Sequence, residues 1–297
     1  MRRYAVRHVT VYRYGGDVAH SHHLLHLKPR DFEFQRCLAH ALILDPPPTS
    51  QHADTDAFGN AIARLEYDRT HDRLSVSAEM QVEVLPRPHG ALETSESWQV
   101  VRRRLNYDAK PMAAEDLEAC RFRMQSSYVR IKQSFEDYAA DCLLPGRPIG
   151  AACAALMHKI HRDFDYVPGA TTNRTSVAEV LETRRGVCQD FAHLMIGCLR
   201  AAGLAARYVS GYIRTVRPDG AALLGGDASH AWVSVYCPPI GWIDFDPTND
   251  CLIGADHVTL AWGRDFGDVS PLRGIIVGGG EHELEVDVCV RPLDRAS

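Results

Sequence analysis

Apolar and polar positions alternate along the first third of the chain and again near its end. Tyr4-Ala-Val-Arg-His-Val-Thr-Val-Tyr12 is β-rich, Ala39 to Leu44 is apolar, and Ala61 to Tyr67 follows a Phe-Gly-Asn turn. Leu74 to Leu85 alternates cleanly. A period of two places one face of each segment on a core and the other in water, so these read as short strands. With prolines and Gly15-Gly16 between them, they predict a sandwich-like β-domain.

The period then changes. From about Ser95 to Ala140 it is mostly helical, broken near Pro111, with short helices expected at Ala114–Leu117 and Ser126–Ala139. Another helix runs from Ile149 through Ile160. Phe191, Ala192, Leu194, Met195, Cys198, Leu199 and Ala202 recur at three- and four-residue steps and define a further helix from Val187, stopped at Gly203. Ala206–Ile213, Ser229–Tyr236 and Trp242–Asp246 read as strands, as do Gly274–Val277 and His282–Val290. Gly278-Gly-Gly280 is expected to be the hairpin loop between the last two; no helix follows it, as a phosphate cradle would require. The Pro46-Pro-Pro48 and Pro86-Arg-Pro88 clusters mark breaks, the second a domain boundary. The expected organisation is a β-domain over 1–88, a helical connecting segment over 89–145, and a core over 146–297. The class is α+β: an N-terminal antiparallel β-sandwich-like domain, then a helix packed on an antiparallel sheet.

Composition narrows the classes. At 297 residues, with 45% hydrophobic and 24% charged residues, the chain is ordinary globular material with room for real cores. Net charge is −5 with both signs interspersed, which argues against a nucleic-acid partner. No apolar run reaches membrane-spanning length, and Met1-Arg-Arg-Tyr-Ala-Val leads into a strand pattern rather than a secretory signal. Nine cysteines lie between Cys37 and Cys289 without framework spacing, which suits a cytoplasmic, reducing compartment.

One of those cysteines carries chemistry. Gly186 permits a tight turn before the helix, and Cys188 falls in its first turn, where free N–H groups and the helix dipole favour thiolate. Downstream, His230, Trp232 and Ser234 share one face of a strand. Cys237-Pro-Pro-Ile-Gly241 is a turn, and the returning strand ends at Asp246. A hairpin centred on position 238 sets His230 nearly opposite Asp246, close enough for a carboxylate to hold an imidazole in one tautomer. A helix-start thiol facing a strand-borne His–acid pair is what cysteine nucleophilic catalysis requires. Strand alternation does not separate Asp246 from Asp244, since both point the same way. Asp190 is expected to serve the backbone rather than catalysis. Gln189, Tyr212 and Trp232 are candidate cleft residues. His20, His22, His23 and His26 are dense but lie in a β-rich region with no completing Cys, Asp or Glu, so they predict no metal site. No Cys-x-x-Cys pair or EF-hand spacing is present, and no cofactor is expected.

Arg185-Gly-Val-Cys-Gln-Asp-Phe-Ala-His-Leu194, His230-Ala-Trp232 and Phe245-Asp-Pro-Thr248 resemble the three motif blocks of the bacterial transglutaminase-like superfamily. Asp163–Gly169, Thr175–Leu181 and Gly263–Pro271 resemble the segments flanking those blocks. The N-terminal region is similar, more loosely, to the β-domain that often precedes this core. The resemblance implies a papain-like core and selects Asp246, the acid before proline, to complete a Cys188–His230–Asp246 triad. It implies acyl transfer from a peptide or protein amide through a thioester, completed by water (peptidase or amidase) or by an amine acceptor (transglutaminase). Bacterial relatives are commonly labelled cysteine proteases. Arylamine N-acetyltransferases share the triad logic but match these blocks less well, and a peptide:N-glycanase would carry zinc-binding cysteine pairs. The non-enzyme alternative is an idle transglutaminase fold serving as a scaffold or binding module.

Overall fold

The structure is a computed structural model that describes residues 1–87, 90, 92–106, 111–214 and 229–293. The chain opens with β1 (Arg2–Leu25), β2 (Gln35–Asp45), β3 (Ser50–Thr55), β4 (Ala61–Tyr67) and β5 (His71–Val84). Three short helices follow, α1 (Trp98–Arg104), α2 (Ala114–Cys120) and α3 (Gln133–Ala139). Next come α4 (Ile149–Asp163), β6 (Asp165–Tyr166), α5 (Val177–Thr183), β7 (Arg185–Gly186) and α6 (Cys188–Ala201). The chain closes with β8 (Ala206–Ile213), β9 (His230–Cys237), β10 (Gly241–Asp246), β11 (Cys251–Leu252), β12 (His257–Gly263), α7 (Phe266–Val269), β13 (Leu272–Gly278) and β14 (His282–Pro292).

The N-terminal sheet is one seven-stranded antiparallel sheet rather than a stack of short strands. β1 is 24 residues long and passes straight through Gly15-Gly16, which the sequence reading treated as a break. Its first half pairs with β5 and its second half with β4. The register between β1 and β5 slips between Arg13 and Val18, and this irregularity lets the sheet turn on itself. Tyr4, Val6, Leu25, Leu65, Tyr67 and the inward side chains of β5 from Leu74 to Val84 then fill one core, which gives the sandwich-like layering.

The expected C-terminal hairpin does not form. β14 pairs with Tyr4–Tyr14 and β13 with Val18–Leu25, both antiparallel, so 272–292 is one bent strand lying along the whole of β1. Gly278, Gly279 and Gly280 have positive φ and sit opposite Gly15 and Gly16, with Gly15 N–H donating to Glu281 O at 2.7 Å and Gly16 N–H to Gly279 O at 3.1 Å. A Cβ on Gly278 would collide with the Asp17 carbonyl oxygen, so glycine is required at this crease. The C-terminal strands therefore belong to the N-terminal sheet, not to the core assigned to 146–297. Pro88, part of the expected boundary, lies outside the described residues. Residues 126–132 are not helical, and α3 begins at Gln133.

The second sheet has the order β11-β10-β9-β8-β12. Ala206, Ala231, Val233, Val235, Ile243 and Phe245 join the core built with Leu194, Met195, Cys198 and Leu199 of α6 and Leu156 and Ile160 of α4. Tyr212, Val258 and Leu260 join the N-terminal core instead. The two units are thus fastened mainly through β12 and its flanks. The segment over 95–145 adds a smaller contact through Phe58 against Phe122.

Candidate active site

The helix bearing Cys188 starts where a buried carboxylate fixes it. Val187 is extended and its N–H donates to Asp190 Oδ2 at 2.8 Å, while the Thr171 hydroxyl donates to the same oxygen at 2.6 Å. Asp190 thereby satisfies an N-terminal N–H of α6. Burial pushes its carboxyl up, and these two hydrogen bonds pull it down. Gly186 has no room for a side chain, because a Cβ there would lie 2.8 Å from Asp190 Oδ2. β6 pairs in parallel with β7 and brings Tyr166 level with Gly186. Burial, then the neighbouring charges of Cys188 and Asp246, push the Tyr166 phenol up to about 12. This half-buried phenol is thus within electrostatic reach of the thiol. Cys188 itself is 8% exposed.

β9 and β10 form the expected hairpin, with its centre one residue later than the sequence suggested. Phe245 pairs with Val233 and Ile243 with Val235, a register that sets Asp246 level with Trp232 and diagonal to His230. The pair still meets: His230 Nε2 donates to Asp246 Oδ2 at 2.8 Å, and both side chains are fully buried. Thr248 N–H and Asn249 N–H donate to Asp246 Oδ1 at 2.9 and 3.2 Å, and Asn249 Nδ2 donates to Oδ2 at 2.9 Å. Burial raises the Asp246 carboxyl, but the charge and hydrogen bond of His230, with help from His257, hold it far below the carboxylate range. For His230, burial pulls down, and the charge and hydrogen bond of Asp246 together with Cys188 outweigh it. The imidazole is pushed up to about 10.

With Nε2 committed to Asp246, Nδ1 of His230 is the nitrogen left for another partner. It is buried and has no hydrogen bond. The Cys188 thiol is the group whose interaction with His230 adds to that upward push. A carboxylate thus holds one nitrogen of the imidazole, and the other is buried without a hydrogen bond.

The structure separates the two aspartates. Asp244 is paired with the Arg87 guanidinium and accepts Trp232 Nε1 at 3.2 Å. Burial raises it, but Arg87 and Arg207 hold it below its usual range. Tyr212 and Trp232 do not face a cleft. Both are fully buried, Tyr212 against His8 at 2.9 Å in the contact between the two units, and Trp232 under His257. Alternation gave Trp232 its face but not what would cover it. Gln189 is half-buried and reaches Asn173 at 3.4 Å, next to the thiol.

Three neighbours escaped the sequence reading. Asn249 was legible in principle, since Asp-Pro-Thr-Asn is turn chemistry that folds a side chain back on its own carboxylate. Tyr166 and His257 arrive by pairing and packing across long stretches of chain, and no local pattern marks them. His230, Asp246 and His257 place donor atoms within 4.8 Å of one another, a set of ligand types that transition metals accept. The Asp246 oxygens, however, are already taken by backbone, Asn249 and His230 donors, so the cluster is built as a hydrogen-bonded group. The histidines are dispersed along and just past β1: His23 accepts or donates within the sheet at Ser21, 3.0 Å away, and His26, beyond the strand's end, contacts Ser270 O at 3.1 Å.

Comparison with known proteins adds an independent line. Residues 4–83 match the bacterial transglutaminase-like N-terminal region, and residues 136–247 match the transglutaminase-like superfamily. An uncharacterized Mycobacterium tuberculosis protein is 39% identical over 301 residues, covering 98% of this chain and 93% of that one. A Mycobacterium leprae protein, also uncharacterized, is 31% identical over 301 residues, with 99% and 100% covered. The protein-glutamine gamma-glutamyltransferase of Pseudomonas aeruginosa is 39% identical over 103 residues, 33% of this chain and 15% of that enzyme. Among solved structures, a "putative cysteine protease" from Cytophaga hutchinsonii superposes with a TM-score of 0.75 at 20% identity, covering 100% of this chain and 92% of that one. That likeness is one of fold.

Proposed function

The chain belongs to the bacterial transglutaminase-like superfamily, and from that premise we propose that it is a cysteine-dependent enzyme acting on the amide of a peptide or protein through a thioester. The observation that carries this reading is the buried His230–Asp246 pair at 2.8 Å, with the second imidazole nitrogen free beside the Cys188 thiol.

The chemistry follows from the nitrogens. The Cys188 thiolate, paired with His230 as imidazolium, attacks the amide carbonyl, forming a carbon–sulfur bond. His230 Nδ1–H then protonates the leaving amine as the carbon–nitrogen bond breaks. In the second half, the neutral ring removes a proton from the incoming acceptor as that acceptor attacks the thioester, and the carbon–sulfur bond breaks to restore the thiolate–imidazolium pair. Asp246 keeps Nε2 protonated and the ring aimed throughout. The Cys188 backbone N–H, at the first position of α6 where no intrahelical partner exists, would receive the oxyanion. Water as acceptor gives a peptidase or amidase; an amine gives a transglutaminase. The name of the Pseudomonas relative favours glutamine side chains as the first substrates to try.

The test is a glutamine-containing peptide library incubated with and without a labelled amine, following ammonia, label incorporation and backbone cleavage together. Wild type turns over in at least one channel, and Cys188→Ala loses that channel by more than a thousandfold. Turnover that survives in Cys188→Ala contradicts the proposal. A folded wild type inert in all three channels, with Cys188 no more reactive than an exposed thiol, favours the scaffold alternative.

A further inference from the structure

His257 stands at the start of β12, more than ten residues beyond Asp246 and on a different strand of the sheet, yet its Nε2 lies 3.5 Å from Asp246 Oδ2. The ring is nearly fully buried, and neither of its nitrogens has a hydrogen-bond partner. It packs edge-on against Trp232 at 5.5 Å and lies 6.3 Å from the His230 ring. A buried polar group without a partner costs about 1–3 kcal/mol, and its retention calls for a reason.

The groups around it supply one. Burial drives the His257 imidazole down; Asp246 pulls it up, while His230 and Arg87 push it further down. Two imidazoles thus share one carboxylate, and the charge resides on His230. A neutral imidazole whose Nε2 faces a carboxylate oxygen carries its hydrogen on that nitrogen, because two facing lone pairs repel.

We propose that His257 is a positioning residue of the acyl-transfer site, bracing Asp246 through Nε2–H when His230 gives up its proton. The inference rests on the triad reading above. During the cycle His230 alternates between charged and neutral forms. When it is neutral, Asp246 keeps its charge in a dry pocket with one fewer cation, and His257 Nε2 lies 3.5 Å from the same oxygen, close enough for its N–H to turn onto it. His257 therefore eases proton release from His230 to the leaving amine. β12 is held for this task by the N-terminal unit: the Gln35 side chain accepts Thr259 N–H and donates to Thr259 O, both at 2.7 Å, and Arg87 donates to the Thr259 hydroxyl at 3.0 Å.

The experiment is the pH profile of Cys188 alkylation by iodoacetamide, read peptide by peptide in the mass spectrometer, for wild type, His257→Phe and His257→Gln. Phenylalanine keeps the ring against Trp232 and removes both nitrogens, while glutamine restores a donor at the reach of Nε2. The expected result is an upper limb displaced by about one pH unit towards alkaline in His257→Phe, because His230 then holds its proton more tightly, and returned most of the way in His257→Gln. A His257→Phe profile that overlays wild type, or a glutamine variant displaced as far as phenylalanine, overturns the inference. Nitrogen-15 histidine spectra of wild type provide a readout that needs no variant to fold: a His257 ring protonated at Nδ1 and bare at Nε2 also overturns it. A wild-type profile with no accelerated window would instead sink the triad reading itself.

Discussion

At the residue scale, the site turns on which nitrogen of His230 meets which partner. Cys188, His230 and Asp246 were all legible as residue types in context, because a helix-start thiol and a strand-turn acid have local signatures. The assignment of Nε2, rather than Nδ1, to Asp246 was not, since it depends on ring rotation in a closed space. The raised imidazole has a consequence for stability. His230 keeps its proton in the folded protein up to about pH 10, whereas an unfolded histidine loses it near 6.5. Its contribution is fully present below 6.5 and is lost as pH rises through about 10. Urea unfolding of wild type between pH 6.5 and 10 should therefore fall in stability relative to His230→Gln, with a limiting slope of about 1.4 kcal/mol per pH unit for one proton. Parallel pH dependences for the two proteins would show that the imidazolium is not held. Asp246 works in the opposite sense: its contribution is present above the ordinary carboxylate range and is lost on acidification.

At the element scale, hairpin geometry brought His230 and Asp246 together, but one residue off the expected register. The difference comes from the turn, where Ile240 N–H donates to Cys237 O and Gly241 pairs with Cys237. A single-position shift turned direct opposition into a diagonal contact, which long polar side chains can still span. Gly211 shows why the neighbouring strand tolerates no side chain here. It pairs with His230 across β8 and β9, and a Cβ would collide with the Val258 carbonyl oxygen and the Trp232 ring. Gly211→Ala should cost about 1–3 kcal/mol, visible as a lower thermal midpoint, and should slow Cys188 alkylation by moving Trp232 and His230. An unchanged midpoint would mean that β8 and β12 shift apart freely. The glycine crease between β13 and β14 was misread for a related reason. Three consecutive glycines look like a loop, and only the long partner strand beside them shows a bend in a continuous one.

At the scale of the whole molecule, the N-terminal unit is part of how the second sheet is completed. β12 is an edge strand of that sheet, with a bulge between Thr259 and Ala261, and its outer backbone groups meet side chains rather than another strand. Gln35 clamps Thr259, and Asn60 does the same for Trp262, accepting its N–H at 3.0 Å and donating to its O at 2.8 Å. Tyr4 donates to Ala255 O at 2.9 Å, just upstream of His257. Two buried amides thus cover an edge that would otherwise expose unpaired groups. Gln35→Leu leaves the Thr259 N–H and C=O without partners and should destabilise the protein by about 2 kcal/mol or more, measured by chemical denaturation. If the loss is confined to the N-terminal sheet while Cys188 keeps its wild-type alkylation profile, the clamp does not reach the site. Among the described residues no helix is long and apolar enough to cross a membrane.

The sequence by itself determined the elements and the chemistry they carry. Periods of two and 3.6, glycine and proline punctuation, the helix-start position of Cys188 and the hairpin spacing of His230 and Asp246 are local properties, set by backbone sterics and by which face must be buried. Tertiary structure alone decided what lies more than a hairpin apart. It paired 272–292 with β1, gave Asp244 to Arg87, buried Tyr212 and Trp232, and brought His257 to the Asp246 carboxylate. Those outcomes depend on how two sheets close over each other, and contacts of that range leave no period in the chain.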